Sequence, residues 1–314
     1  MIKADVQLLK DFENQLDTSN PTGGRIPVKI IGYGEMSAIF LFDKMPELAV
    51  KRMPPFYNSQ EISLYKSNIN KYCRFLREKF NINTAPYYFI EIVNRYSEHI
   101  LYIVQNRLDA DSIGNNFIQD CSNEKLAIVL KAVLDKMILI WQWNRENKDM
   151  IFGLDGQISN WSFNFDTDNN IDPVYFDYTT PFIRKNGVEL LDPEMFLKSC
   201  PSFLVWIVRW RFLQEVLDRY YDLRLVLIDL TANFHKEAQA SKIPFAIEVI
   251  NRYMDQNASD LKMQPITKLE VDKYYKDDAF IWKLFLSLRR LDCFIKTKIF
   301  RGKYDFILPG KIDR

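Results

Sequence analysis

The chain is poor in the residues that build metal and redox centres. Its four cysteines, Cys73, Cys121, Cys200 and Cys293, are scattered over 314 residues with no CxxC pair, a spacing that argues against a zinc site or a redox couple. Two histidines, His99 and His235, leave no basis for a mechanism built on paired imidazoles. Charge of one sign is missing as well. With 42 Lys and Arg against 41 Asp and Glu the net charge is +1, so no broad basic field advertises a nucleic-acid or membrane partner, a local patch aside. No stretch reaches the ~18 charge-free apolar residues of a membrane span; even LVWIVRWRFL is cut by Arg209 and Arg211. The N-terminus, MIKADVQLLKDF, lacks an apolar core of signal-peptide length. The expectation is a cytoplasmic protein with reduced thiols and neither a nucleic-acid nor a membrane partner.

What is present reads as a folded protein. Apolar residues make up 47 % and charged ones 26 %, ordinary for a globular chain, and 23 Phe with 16 Tyr speak against disorder. The length suffices for one large domain or two lobes. Residues 3–17 space their apolar side chains helically, a helical extension over 1–26 that breaks at Pro21 and Gly23–Gly24. From Ile26 the period shortens: IPVKIIGYG, SAIFLF and LAVKRM are strand-like runs. A helix is predicted over 59–79, then strands at Tyr87–Val93 and His99–Val104, with QNRLDADSIG as a connector. Beyond Gly114 the pattern turns helical, at 123–146 behind Ser122 as N-cap and again near 202–220, 223–239, 244–256 and 269–290. The tail 292–314 has no clear period. The fold class expected is α+β: an antiparallel sheet with one helix over 27–106, then a mostly helical part over 107–314 that carries a β-hairpin at 151–178.

That hairpin stretch, IFGLDGQISNWSFNFDTDNNIDPVYFDY, concentrates the chemistry. Runs at Ser162–Phe165 and Val174–Phe176 flank a turn-forming string, which brings Asn160 and Asp177 to the mouth of two paired strands with Asp155 on the loop before them. Two acids and an amide at one loop suit a divalent cation beside a phosphate chain; Asp and Asn are also ordinary turn residues, but acids set among Phe152, Leu154, Trp161 and Phe176 cost desolvation unless paired or metal-bound. Three further signals precede them. Gly32 and Gly34, followed by Ser37, let a turn backbone approach phosphates, although any hairpin can hold two glycines. Lys51, flanked by apolar neighbours, can aim into a cleft or lie exposed on its strand. Glu61 can pair with Lys51 or simply complement the dipole of its helix. Asp166, Asp168, Asn170, Asp172 and Asp177 match calcium-loop spacing, but Ile171 stands where that loop needs Gly, and a hairpin turn is the better reading.

In this order the signals resemble the protein-kinase-like superfamily, on its aminoglycoside and choline phosphotransferase side. The resemblance covers residues 27–180. It implies a glycine loop at Gly32, Gly34 and Ser37 over the phosphates of ATP, with Lys51 gripping them and Glu61 as its partner. It further implies Asp155 as the base, with Asn160 and Asp177 as Mg2+ ligands. Gln105 to Leu108 would form the adenine hinge, and a small-molecule hydroxyl acceptor would sit near 181–240, where Arg184, Lys185, Asp218 and Arg219 are candidates. Gly153 stands where the family has a histidine, and no activation-loop Ala-Pro-Glu is present. A catalytically silent nucleotide- or protein-binding module, and transfer of AMP in place of phosphate, are the alternatives.

Overall fold

A computed structural model of the chain describes residues 2–34, 36–168, 170–192, 205 and 213–310. Helix α1 (Val6–Gln15) opens it, capped by the Asp5 side chain, which accepts from the Leu8 amide. Strands β1 (Val28–Tyr33), β2 (Ala38–Phe42) and β3 (Met45–Arg52) follow, then helix α2 (Ser59–Glu78). A short strand β4 (Asn83–Thr84) precedes the hairpin of β5 (Tyr87–Val93) and β6 (His99–Asn106). The long strands form one five-stranded sheet in the order β1-β2-β3-β6-β5, every pairing antiparallel.

Side chains alternate across a strand, and here that splits the sheet into two faces. Leu48 and Val50 of β3, Tyr102 and Val104 of β6, and Phe40 and Phe42 of β2 share a core with Leu8, Leu9 and Phe12 of α1. Phe12 meets Phe40 and Phe42 edge-on at 5.1 and 5.0 Å, burial worth about 1.5–3 kcal/mol for such a ring. Met53, Leu101 and Ile103, from the other face, belong to the large core that continues into the helical part. Helix α1 therefore packs with the sheet itself, and so does Ile307 near the C-terminus; in packing terms, neither the boundary drawn at residue 26 nor the one at 106 separates these residues from the sheet.

The second half is helical: α3 (Gly114–Asp120), α4 (Asn123–Glu146), α5 (Leu213–Asp218), α6 (Leu223–Lys236), α7 (Ile243–Asn257) and α8 (Lys268–Phe294). Ser122 caps α4 by accepting from the Lys125 amide, as its position predicts. The predicted helix over 202–220 lies mostly outside the described residues, and α5 is its described remainder. The connector 105–114 hides the end of β6 and the start of α3, a helix too short for periodicity to reveal. The tail keeps its helix longer than expected, to Phe294, and closes in a wider turn over Ile295–Ile299. Two small sheets complete the fold; the expected hairpin forms one of them, with a paired stretch shorter than its runs suggest, while its third strand and the whole of the other sheet escaped prediction because strands of two or three residues carry no period. β7 (Met150–Phe152), β10 (Ile183–Lys185) and β11 (Val188–Glu189) form one; β4 joins β9 (Val174–Tyr175) and β8 (Trp161–Ser162) in the other.

Candidate active site

The period-two alternation of β3 turns Lys51 to the face opposite Val50 and Arg52, toward the helical part. Its Nζ donates to Asp177 Oδ1 at 2.9 Å and to Thr179 Oγ1 at 2.8 Å. Thr179 Oγ1 in turn donates to Asp177 Oδ1 at 3.1 Å, and Tyr65 of α2 fixes the same residue by donating to its carbonyl at 2.6 Å. Lys51 and Asp177, 126 residues apart in sequence, thus meet between sheet and hairpin. Burial opposes ionisation of Asp177, yet the Lys51 charge and the hydrogen bonds from Lys51 and Thr179 hold its carboxyl below the usual range.

The hairpin reaches this point because β9 is paired on both edges. Trp161 and Ser162 run antiparallel to Tyr175 and Val174, while Asn83 and Thr84 run parallel to Val174 and Tyr175. The strand that precedes Asp177 is thereby held by chain from both halves of the molecule. At the hairpin tip the Asp166 carboxylate accepts the amides of Asp168 and Asn170, and Asp172 pairs with Lys136 at 2.8 Å. These acids serve the turn and its neighbours. Among the described residues no group of three or more His, Cys, Asp and Glu side chains is arranged to hold a metal.

Asp155 and Asn160 share the loop before β8. The Asn160 side chain donates to the Asp155 carbonyl at 3.2 Å and the Tyr175 hydroxyl donates to that carbonyl at 3.2 Å, while the Phe176 amide donates to the Asn160 carbonyl at 3.1 Å. The loop's entry is equally constrained. A Cβ on Gly153 would lie 2.7 Å from the Tyr220 carbonyl oxygen, so no larger residue fits, and the Gly153 carbonyl accepts from Tyr72 at 2.8 Å. The histidine of the kinase-like pattern has no space at this position.

The Asp155 carboxyl is pushed up to about 8, by burial first and then by the nearby charges of Asp229 and Asp177. Asp229, on α6, is a residue that motif reasoning missed. It is buried, its Oδ2 accepts from Gln157 Nε2 at 2.9 Å, and its own carboxyl is raised, again chiefly by burial. Asn233, one turn further on, accepts the Ser159 amide at 3.1 Å. The one available signal was an acid and an amide inside the otherwise apolar run LVLIDLTANF, where an unpaired polar group is costly.

The remaining expected residues fall as follows. The Glu61 carboxylate does not go to Lys51; it accepts the Tyr57 amide at 2.7 Å, while the Glu61 amide donates to the N-cap Asn58 at 2.9 Å. This acid closes the turn entering α2, on the residue before the N-cap, which corrects the expected ion pair. Gly32 and Gly34 flank the β1–β2 turn closed by the Gly34 amide donating to the Ser37 carbonyl. Neither has a positive φ, and at Gly34 a Cβ would meet only the rotatable Ser37 hydroxyl, at 2.6 Å. Gln105 still lies in β6, opposite Ala49, and accepts from the Tyr178 hydroxyl at 3.0 Å. Arg184 is bound to Glu189 and Asp218 at 2.7 and 2.6 Å, and Arg219 lies 3.5 Å from Asp278; three of the four acceptor candidates are thus engaged in ion pairs. Lys185 sits on β10 opposite Val188.

Residues 13–293 match a family described as of unknown function, DUF6206, and the chain belongs to that family. No curated protein matches it. Among solved structures, the GDP and kanamycin complex of APH(2")-IIIa aligns with 76 % of this chain and 95 % of its own at 12 % identity and a TM-score of 0.32. WaaP in complex with acyl carrier protein aligns with 76 % and 90 % at 9 % identity and 0.32. The GDP complex of an aminoglycoside 2'-phosphotransferase-IIIa mutant aligns with 76 % and 94 % at 12 % identity and 0.31. Among the described residues no helix is long and apolar enough to cross a membrane.

Proposed function

We propose that the protein is a phosphotransferase that moves the γ-phosphoryl group of ATP to a hydroxyl of a small-molecule acceptor. The observation that carries this reading is the junction of Lys51 with Asp177 and Thr179, on the hairpin that follows Asp155 and Asn160. The segment 27–106 would hold the nucleotide, with the Gly32–Ser37 turn over its phosphates and Gln105 to Leu108 beside the base. Residues 107–314 would carry the acceptor. In the reaction the acceptor oxygen attacks the γ-phosphorus, the bond from that phosphorus to the β–γ bridging oxygen breaks, and ADP leaves. The hydroxyl proton passes to Asp155. A carboxyl raised toward neutrality suits that task, because a base works best with a pKa near the operating pH. Lys51 would turn from Asp177 to the phosphate oxygens, so most of the rate comes from positioning and charge neutralisation.

Asp177 and Asn160 offer oxygen donors of the kind Mg2+ prefers, and two protein ligands suffice when phosphates complete the shell. Bound there, the ion would neutralise charge on the β- and γ-phosphates. The test uses purified protein, Mg2+, a hydroxyl-metabolite panel and ATP labelled in either the α or the γ position. Transfer of γ-label supports the proposal, and transfer of α-label replaces it with AMP transfer. A thermal shift with Mg·ATP but no transfer of label favours the silent module, a reading motivated by Glu61 being held at its helix cap. Neither shift nor transfer ends the nucleotide assignment.

A further inference from the structure

Helix α8 is apolar on two opposite sides. Inward it buries Val271, Leu286 and Arg289. Outward it carries Phe280, Leu284, Leu291 and Phe294, exposed by 68, 47, 44 and 56 %. Spacings of four, seven and three residues place these four on one stripe of roughly 21 Å at the rise of an α-helix. Ile281, Ile299 and Phe300 extend the exposed apolar surface, the last two in the turn after the helix. A helix that is apolar all round needs cover on both sides, and exposed apolar ground of this extent marks an interaction site.

The charges around the stripe select what covers it. Between residues 276 and 301 the exposed charged side chains are Lys276, Asp277, Lys283, Arg290, Lys298 and Arg301, five basic and one acidic. The other two acids of that stretch are ion-paired, Asp278 with Lys236 at 3.2 Å and the buried Asp292 with Lys296 at 2.9 Å. A second copy meeting this face would bring rows of like charge together, which is unfavourable. An anionic lipid surface instead matches the cations while its acyl boundary takes Phe280, Phe294 and Phe300, the arrangement of a helix lying in the interface plane. We propose that the outer face of α8 and the turn after it docks this protein on an anionic membrane surface. The expectation of no membrane partner rested on net charge and on spanning segments, and an interfacial helix requires neither.

The test is co-sedimentation of the full chain with vesicles of phosphatidylcholine alone or mixed with phosphatidylglycerol. Binding is expected to the mixed vesicles, to fall with added salt, and to be near background on phosphatidylcholine. The pair Lys283→Gln and Lys298→Gln leaves the apolar stripe intact and should weaken binding about fivefold per lost charge. Phe294→Asp with Phe300→Asp should abolish it with an unchanged circular-dichroism melt, as exposed positions allow. Absence of binding, equal binding to both vesicle types, or indifference to the lysine pair overturns the proposal. So does a dimer in analytical ultracentrifugation that Phe294→Asp converts to monomer, since a second copy would then cover the face.

Discussion

Lys51 and Arg52 are neighbours on one strand, and each has an acid as partner. Arg52 points to the α1 face, where its Nε and NH2 donate to both oxygens of Glu13 at 2.8 and 2.7 Å and Tyr102 adds a third bond to Glu13. That pair is sealed, with the Glu13 side chain only 1 % exposed. Lys51 points the other way to one oxygen of Asp177, whose side chain is 36 % exposed. A bidentate pair closed off from water is locked geometry; a single bond to a half-open acid can be exchanged for a ligand. One residue of register therefore separates a cation sealed in a bidentate pair from one whose partner is open to water.

The sharpest break of this contrast is Lys51→Met. On the phosphotransferase reading it should cut turnover by ~10²–10³-fold, as loss of one electrostatic contact in a reacting site does, with a smaller stability loss than at Arg52 because Asp177 keeps access to water. Arg52→Met should do the reverse. Leaving Glu13 buried without its partner is expected to cost about 3–5 kcal/mol, read as a lower urea midpoint, while activity per folded molecule persists. Replacing both, Glu13→Leu with Arg52→Met, should recover much of that loss. Equal stability losses at Lys51 and Arg52 would dissolve the contrast.

Protons should separate Glu13, and Asp177 with it, from Asp155. Burial raises the Glu13 carboxyl, but the Arg52 charge and its hydrogen bonds outweigh it and leave the group below its ordinary 4.5. A carboxyl lowered in the folded state contributes stability above its unfolded pKa and loses it as pH falls through the folded value. Asp155 is raised to about 8, so its sign is opposite: its contribution is complete at low pH, below the unfolded value, and is lost as pH rises through about 8. Melting temperature without nucleotide should therefore fall below about pH 4.5 and again toward pH 8. Asp155→Asn should shrink the alkaline decline, leaving the part that the raised Asp229 carboxyl contributes, while abolishing phosphoryl transfer. An alkaline limb unchanged by Asp155→Asn assigns it to another group.

Much of the sheet was legible because its strands run five to eight residues rich in β-branched and aromatic side chains, whereas Lys51 read equally as a cleft cation or an exposed strand lysine. Asp155, Asn160 and Asp177 were legible as acids and amides within apolar runs. Strands of two or three residues, such as Asn83–Thr84, carry no period, yet they hold the hairpin in place. Asp229 was invisible to motif reasoning, because its relation to Asp155 arises only when α6 packs beneath the loop. Glu61 was legible twice over, as ion-pair partner and as helix-terminal acid, and sequence spacing does not choose between them.

That choice yields the smallest of the expected effects. Glu61 accepts the amide of Tyr57, next to the N-cap Asn58, while Lys51 is turned to Asp177. Glu61→Gln keeps an acceptor at the cap, so it should cost less than the ~1 kcal/mol of a lost N-cap, and Asn58→Ala should cost about that full amount. If the cap is the whole role of this acid, Mg·ATP affinity measured by calorimetry stays unchanged in Glu61→Gln. A tenfold loss of affinity at constant stability would instead mean that Lys51 gives up Asp177 and takes Glu61 once phosphates arrive, so the pair read from sequence would belong to the loaded state.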